Sequence, residues 1–275
     1  MKSMLIPALV VLLAAATQPS QAQYFVRPYL NFSGGATIDG LILNGNTSSA
    51  QFFSDASRTG SASVSLQTGA LKSLAEFVNF DGGFVIASAV MGETFTLRSG
   101  MGTDFRFAYE FDGTIEADAK SIPEDPGNYL LQIDSAIAVF RPGVATWSDW
   151  YALAANTSQE LHFETFSYSI QNPLNDVSEA VSDYFSFLTT LESDYEQFQI
   201  FVSLNLVVSS STPQTAILDF FNTGSLFFDV EPSVEVFSDS GVFPNTQPVP
   251  EPSSFALALL GLGALVALRF RRNKR

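Results

Sequence analysis

The sequence predicts a mostly β fold: an antiparallel β-sandwich or jelly-roll-like ectodomain with one amphipathic helix, an N-terminal signal peptide and a C-terminal single transmembrane helix. Three observations lead to this prediction. Apolar and polar residues alternate over many short stretches, which is typical of half-buried strands. Clusters of Gly, Asp and Asn, which favour turns, separate these stretches. An apolar segment without charges lies near each end of the chain.

The first residues predict a signal peptide over residues 1–22. Lys2 is followed by an apolar segment from Met4 to Ala16, and small residues stand at Ser20 and Ala22. Small side chains at these two positions fit the specificity of signal peptidase and predict a cut before Gln23. An uncleaved N-terminal anchor is the alternative, but the apolar core is shorter than the roughly 20 residues that span a bilayer. The interpretation therefore implies export through the Sec translocon.

The ectodomain is predicted at residues 23–243 as a set of antiparallel strands. From Phe105 to Phe111 the odd positions are aromatic and face away from the polar even positions. Asp112 and Gly113 are predicted to form a hairpin turn into a second strand at residues 115–119. Further strands are predicted at residues 61–67, 84–90, 129–140, 161–170, 201–208, 216–221 and 226–230, with turns at residues 81–83, 99–102 and 222–224.

One segment has a different period and predicts the helix, at about residues 176–198. Its apolar residues recur at intervals of four and three, the spacing of one helical face. Asp176 followed by Glu179 resembles a capping box at the start of a helix. Packing across a sheet edge or an open end of the sandwich is favoured over a partner-binding heptad. The residues of this stripe are Val177, Val181, Tyr184, Leu188, Leu191, Tyr195 and Phe198.

The charge of the ectodomain excludes some classes of partner. All 28 acidic residues of the chain lie between Asp39 and Glu251, against seven basic residues between the signal peptide and the C-terminal segment, a net charge of −21. Such a surface repels nucleic acid and anionic lipid, so we expect no nucleic-acid partner. The chain has no cysteine. In an oxidising compartment its stability must therefore come from a packed core, for which 26 Phe and 8 Tyr are available.

No motif in the sequence predicts a catalytic or cofactor-binding residue. His162 is the single histidine and no GxSxG motif is near it, so a strand histidine is favoured over a catalytic one. One histidine without cysteine also argues against zinc. No GxGxxG motif or P-loop occurs. We therefore predict no cofactor and a non-enzymatic protein.

Carboxylates are the abundant chemical groups. Glu110 with Asp112, and Glu116 with Asp118, are predicted to share one face of two facing strands. Calcium binding and glycoside hydrolysis are the two chemistries such groups support. No DxDxDG loop is present, so a solvated acidic face is favoured and folding without metal is predicted.

An aromatic cluster at Trp147, Trp150 and Tyr151 suggests a platform on which sugar rings stack. Trp147 and Trp150 are the only tryptophans of the chain. Core packing of at least one of them is the alternative.

The C-terminus has three parts in sequence. Residues 244–252 form a Pro-rich spacer ending in Pro250-Glu251-Pro252, residues 253–268 are uncharged and predict a transmembrane helix, and residues 269–275 form a basic tail. Sixteen residues make a helix of about 24 Å, just short of the hydrocarbon core. Because basic residues remain in the cytoplasm, Arg269, Arg271 and Arg272 predict a cytoplasmic stop and an ectodomain outside the inner membrane.

This order of Pro-Glu-Pro, short membrane helix and arginine cluster resembles the PEP-CTERM sorting domain of Gram-negative bacteria that export exopolysaccharide. The resemblance implies that an exosortase, a membrane cysteine protease, recognises Pro250, Glu251 and Pro252 and cleaves nearby. The membrane helix is then a transient anchor. The same tail is also labelled an ice-binding protein C-terminal domain, which implies nothing about ice here. An ordinary tail anchor is the alternative.

These observations predict an exosortase substrate that is delivered to the cell surface or the exopolysaccharide matrix of a biofilm. Its ectodomain is expected to be a non-catalytic adhesive or carbohydrate-binding module. A carboxylate-dependent glycan hydrolase or lyase on the same scaffold is the alternative. Two carboxyl groups about 5 to 9.5 Å apart in a cleft favour the enzyme, and acids spread over a filled sandwich favour the binding module.

Overall fold

The computed structural model describes residues 24–80, 82–98, 104–119, 128–141, 160–190, 195–230 and 234–242. These residues form two antiparallel sheets that pack face to face, which confirms the predicted mostly β, sandwich-like fold. The signal peptide, the aromatic cluster at Trp147, Trp150 and Tyr151, the predicted turn at 99–102, and the spacer, membrane helix and basic tail lie outside the described residues. Among the described residues, no helix is long and apolar enough to cross a membrane.

Fourteen strands run through the described part of the chain. One sheet has eight strands, with the path β10-β9-β12-β7-β1-β2 and with β14 on β7 and β3 on β1; the other has six, in the order β11-β8-β13-β6-β5-β4. The strands are β1 (Phe25–Phe32), β2 (Ala36–Asp39), β3 (Ile42–Leu43), β4 (Ser48–Ser54), β5 (Arg58–Ser65), β6 (Ala70–Phe80), β7 (Gly83–Arg98), β8 (Asp104–Ala117), β9 (Tyr129–Phe140), β10 (Glu160–Gln171), β11 (Val177–Thr190), β12 (Tyr195–Ser210), β13 (Gln214–Val230) and β14 (Glu235–Ser238).

The core lies between the two sheets and is built from alternate residues of each strand. In β9 the odd positions, such as Leu131 and Ile133, are at most 2% exposed and face the other sheet. The aromatic positions predicted in β8 do the same: Phe105, Phe107, Tyr109 and Phe111 are all buried. Their rings pack edge to face, tilted or stacked, for example Phe105 edge to face against Phe107 with centroids 4.2 Å apart. Burial of these rings is the main force that holds the sheets together.

The predicted turn between β6 and β7 carries the chain from one sheet to the other. Gly82 and Gly83 have φ of 84° and 138°, a region that side chains disfavour. The chain therefore leaves the six-stranded sheet and enters the eight-stranded sheet without a long loop.

The predicted hairpin turn at Asp112 and Gly113 is wrong. β8 runs without a break through both residues, and β11 pairs with it along its whole length, with Ser182 opposite Asp112 and Val181 opposite Gly113. Glycine is needed here for space and not for a turn, because a Cβ on Gly113 would lie 2.5 Å from the Asp219 carbonyl oxygen and 2.5 Å from the Phe220 ring.

A second predicted turn, at residues 222–224, is also wrong. β13 is one strand, and its register shifts between Asp219 and Ser225 against β8, and between Phe220 and Gly224 against β6. Extra residues in one strand make a bulge, which bends the strand and increases its twist. Gly224 fits because a Cβ there would lie 2.2 Å from the Leu71 carbonyl oxygen.

The helix predicted at 176–198 is also wrong. Residues 177–190 form β11 and residues 195–210 form β12. Two residues of the predicted helical stripe, Tyr184 and Leu188, are 45% and 57% exposed, whereas Phe185 is 1% exposed. The buried positions of β11 are therefore odd-numbered, with period two. The open edge of β8 supplies hydrogen-bond partners for a strand along 14 residue pairs, and this pairing overrides the weak helical pattern.

Candidate functional site

The four predicted acids lie in a line on the outer side of the six-stranded sheet. They belong to β8 and the residue just after it, and not to two facing strands as the hairpin prediction required. Glu110, Asp112, Glu116 and Asp118 are exposed because even positions of β8 face away from the core. Acids two residues apart on one strand are separated by roughly 7 Å along the strand. The predicted solvated acidic face is thus present, with a different backbone beneath it.

Aromatic and apolar side chains continue this line at one end. Tyr184 of β11 lies opposite Glu110, and Phe227 of β13 lies opposite Ala108. The two ring centroids are 6.4 Å apart, with the ring planes 47° apart. Leu188 extends the apolar end along β11. We call this surface, formed by Glu110, Asp112, Glu116, Asp118, Tyr184, Leu188 and Phe227, the acidic–aromatic face.

A small residue on the central strand lets the two rings approach each other. Ala108 faces outward between Ser186 of β11 and Phe227 of β13, yet it is 0% exposed. Side chains on neighbouring strands meet diagonally when the residue between them is small. The rings of Tyr184 and Phe227 are therefore held by the sheet, with Glu110 beside Tyr184.

Sequence reasoning did not identify the aromatic part of this face. The predicted helix places Tyr184 and Leu188 on its buried side, and Phe227 lies in the strand predicted at residues 226–230. The available signal was the odd-numbered alternation of Val181, Asp183, Phe185 and Phe187, which places Tyr184 on the opposite side of a strand.

Inside the sandwich, the described residues include one buried carboxyl group, that of Glu93 on β7, which is 3% exposed. Its Oε1 accepts hydrogen bonds from the backbone N–H groups of Thr94, at 2.9 Å, and Ser240, at 3.3 Å. Burial raises the pKa of Glu93 to about 8, against the hydrogen bonds from Ser240 and Thr94, which lower it. Glu93 is therefore protonated near neutral pH, and it ties the turn after β14 to the core.

His162 lies in strand β10, as predicted, on the side that faces the other sheet. Its ring packs against Phe187, with centroids 5.1 Å apart, and Nε2 is 3.4 Å from a carboxylate oxygen of Glu164. Nε2 is buried and makes no hydrogen bond within the described part of the chain. Nearby, the Tyr168 hydroxyl donates a hydrogen bond to the Glu179 carboxylate, which raises the pKa of Tyr168.

Metal ligands do not converge in the described ranges. No group of three or more His, Asp or Glu side chains there is arranged to hold a metal ion.

The tail is identified by comparison with known families. The model of the PEP-CTERM protein-sorting motif matches residues 248–273. The chain carries a PEP-CTERM sorting motif at its C-terminus. This motif implies an exported protein that is anchored in a membrane and then processed, with an exosortase as the processing partner. Pro250, Glu251, Pro252, Arg269, Arg271 and Arg272 all lie within the matched residues.

The PEP-CTERM match covers the tail and leaves the β-sandwich unassigned. No curated protein matches the chain in sequence. The enzymatically active domain of tailspike protein 4 from bacteriophage CBA120 is similar over 68% of this chain and 20% of that chain, with 8% identity and a TM-score of 0.21. TmCBM61, solved in complex with β-1,4-galactotriose, is similar over 74% of this chain and 88% of that chain, with 7% identity and a TM-score of 0.19. The chain thus spans about a fifth of the tailspike chain.

Proposed function

We propose that this PEP-CTERM protein is a cell-surface or exopolysaccharide-matrix protein whose sandwich is a non-catalytic carbohydrate-binding or adhesive module. The observation that carries the proposal is the acidic–aromatic face on a chain that bears an export and sorting signal. The Sec translocon exports the ectodomain, and signal peptidase cuts before Gln23. The tail then holds the ectodomain outside the inner membrane until exosortase acts at Pro250-Glu251-Pro252. The host is a Gram-negative bacterium that forms a biofilm.

The chemistry of this face fits a sugar chain. Tyrosine and phenylalanine rings present apolar surfaces on which the C–H faces of sugar rings pack, and the tyrosine hydroxyl adds a polar contact. Carboxylates accept hydrogen bonds from sugar hydroxyl groups. The line from Leu188 and Tyr184 to Asp118 follows β8 and its neighbours, so it matches an extended glycan better than a compact ligand.

The negative charge of the ectodomain favours some classes of glycan over others as ligands. A net charge of −21 between the signal peptide and the C-terminal segment disfavours uronate-rich or sulfated polysaccharides at low salt. The module therefore takes a neutral or amine-bearing polysaccharide.

A binding role is favoured over hydrolysis by the placement of the acids. Glycosidases hold two carboxyl groups on either side of the bond they cleave. Here the four acids of β8 and of the residue after it share one open face, and the buried carboxyl of Glu93 lies on the inner side of the other sheet. A hydrolase or lyase remains the alternative that the binding experiment also tests.

A glycan array probed with the full-length chain in mild detergent tests this proposal. We expect binding to a neutral or amine-bearing polysaccharide, and about tenfold weaker binding, or about 1.4 kcal/mol, for the double variant Tyr184→Ser with Phe227→Ser. Phe52→Ser is the matched control, because Phe52 is 66% exposed on β4 of the same sheet.

Three results would contradict the proposal. The chain could bind no glycan, the control could lose as much affinity as the double variant, or the bound glycan could be cleaved. Loss of binding in Trp147→Ser with Trp150→Ser alone would instead move the site to the tryptophan platform.

A further inference from the structure

The side of the sandwich formed by β10 and β11 has two long strand edges. β10 is the last strand of the eight-stranded sheet and β11 is the last strand of the six-stranded sheet. The hydrogen bond between Tyr168 and Glu179, and the contact of Phe166 with Phe111 at 5.2 Å between ring centroids, show that the two edges lie on the same side. Their strands are 12 and 14 residues long.

These edges lack several of the features by which proteins block strand pairing, and the register of β10 shifts only at its start, between Glu160 and His162. Proteins blunt exposed edges with lysine, proline, bulges or very short strands. Neither β10 nor β11 contains a lysine, an arginine or a proline. Within the described part of the chain, each pairs with a neighbour on one side only, β10 with β9 and β11 with β8.

The opposite side of the sandwich is built differently. There the edge strands β2 and β4 have 4 and 7 residues. Contacts between the sheets close this side: Ser49 Oγ donates to the Gly40 carbonyl at 3.3 Å, and Arg58 Nη1 donates to the Ser33 carbonyl at 2.6 Å. Among the described residues, the longest strand edges with a neighbour on one side only are thus those of β10 and β11.

We propose that the β10–β11 side binds a second copy of this chain. A two-fold axis perpendicular to the sheets places β10 of one copy beside β10 of the other in antiparallel orientation. The same axis places β11 beside β11 of the other copy. Both sheets then continue across the interface, and the unpaired backbone groups of both edges are satisfied. The inner face of each sheet stays inside, which requires residues of the same side to lie opposite each other.

The charges of β10 fit such a self-pair. When the pair is centred on Thr165, Glu164 lies opposite Phe166 of the other copy and His162 lies opposite Tyr168. No acid of residues 161–169 then faces another acid. On the outer side Thr165 meets its own copy, flanked by Phe163 opposite Ser167. A strand of this composition pairs with itself without the like-charge contacts that disfavour cross-strand pairing. Long-range repulsion between the two acidic bodies is screened by salt, so association strengthens as salt rises.

Disulfide trapping in the full-length chain tests this interface, because the natural sequence has no cysteine. Directly opposite residues in an antiparallel pair bring their Cβ atoms close enough for a disulfide to form with small adjustment. We expect Thr165→Cys to give a covalent dimer on mild oxidation in mild detergent. Thr114→Cys, which is exposed on a central strand, is the matched control and should stay monomeric on a non-reducing gel.

Charge exchange at the same position identifies the partner as a second copy. Thr165→Lys alone and Thr165→Glu alone should each lose the dimer in sedimentation experiments, because like charges meet on the axis. An equal mixture of the two variants should regain it, because lysine then faces glutamate.

Three results would overturn the proposal. The wild-type chain could remain monomeric at high salt, Thr114→Cys could cross-link as well as Thr165→Cys, or the mixture could fail to recover the dimer. A dimer that persists in Thr165→Lys would also contradict the proposal, because it would not depend on these edges. Circular dichroism of each variant verifies that the sandwich is folded.

Discussion

At the scale of single residues, Glu93 links the stability of the sandwich to pH. Its pKa is about 8 in the folded protein, against 4.5 for an ordinary glutamate, because burial disfavours the charged form. The folded state therefore binds more protons than the unfolded state between these values. The contribution of Glu93 to stability is fully present below pH 4.5, falls as pH rises, and is lost as pH passes through 8.

We expect the free energy of unfolding to decrease between pH 5 and pH 8 with a slope of up to about 1.4 kcal/mol per pH unit from this group. Glu93→Gln, which cannot ionise, should lack this part of the slope. Glu110→Gln, at an exposed position, should keep it. Urea unfolding at several pH values measures the slopes, and equal slopes for Glu93→Gln and the wild type would show that Glu93 does not carry the effect.

At the scale of secondary structure, two substitutions in residues 177–190 distinguish the strand β11 from the helix expected from the apolar spacing. Phe185 is 1% exposed and packs near Tyr109 and Phe111, with ring centroids 6.0 Å away in each case. Phe185→Ala should cost about 3 to 5 kcal/mol, the usual range for removing a buried ring. Leu188→Ala should change stability by about 0.5 kcal/mol or less, because Leu188 is 57% exposed.

Chemical denaturation of the two variants measures this difference. A helix with Leu188 on its buried side requires the reverse order of the two effects. A larger loss for Leu188→Ala than for Phe185→Ala would therefore contradict the strand.

The strands that the sequence predicted correctly are those in which one side is buried and no bulge occurs. β9 has the predicted bounds because alternate residues from Tyr129 to Phe140 fill the core. β8 and β13 were each divided at a glycine, since Gly113 and Gly224 resemble turn residues in the sequence. In the structure these glycines allow neighbouring backbones to approach closely at the bulge of β13, Gly113 against Asp219 and Gly224 against Leu71. Such an approach joins residues that are far apart in the sequence, so no local pattern reveals it.

The acidic part of the candidate site was predictable from the sequence, and the contact between its two aromatic rings was not. Acids at every second position indicate an exposed strand face whatever the strand pairs with. The contact between Tyr184 and Phe227 depends on β11 and β13 both pairing with β8. The order of strands in a sheet is a non-local property, and a single sequence does not contain it in readable form.

At the scale of the whole molecule, the chain combines a β-sandwich with a C-terminal sorting signal. The last described strand, β14, pairs with β7, and the turn after it is bonded to Glu93. The PEP-CTERM sorting motif at residues 248–273 follows shortly after this turn. The sandwich can therefore fold while the tail is still in the membrane, and cleavage near Pro250-Glu251-Pro252 would leave all described strands intact.

We infer that the tail is a temporary anchor that exosortase removes, and the intact mass of the mature protein tests this claim. In a host with an exosortase, the surface or released form should lack residues 253–275, and Glu251→Ala should leave a longer, membrane-bound form. A host without exosortase should keep the longer form of the wild-type chain as well. A mature wild-type protein that retains its complete C-terminus in the presence of exosortase would contradict the claim and leave an ordinary tail anchor.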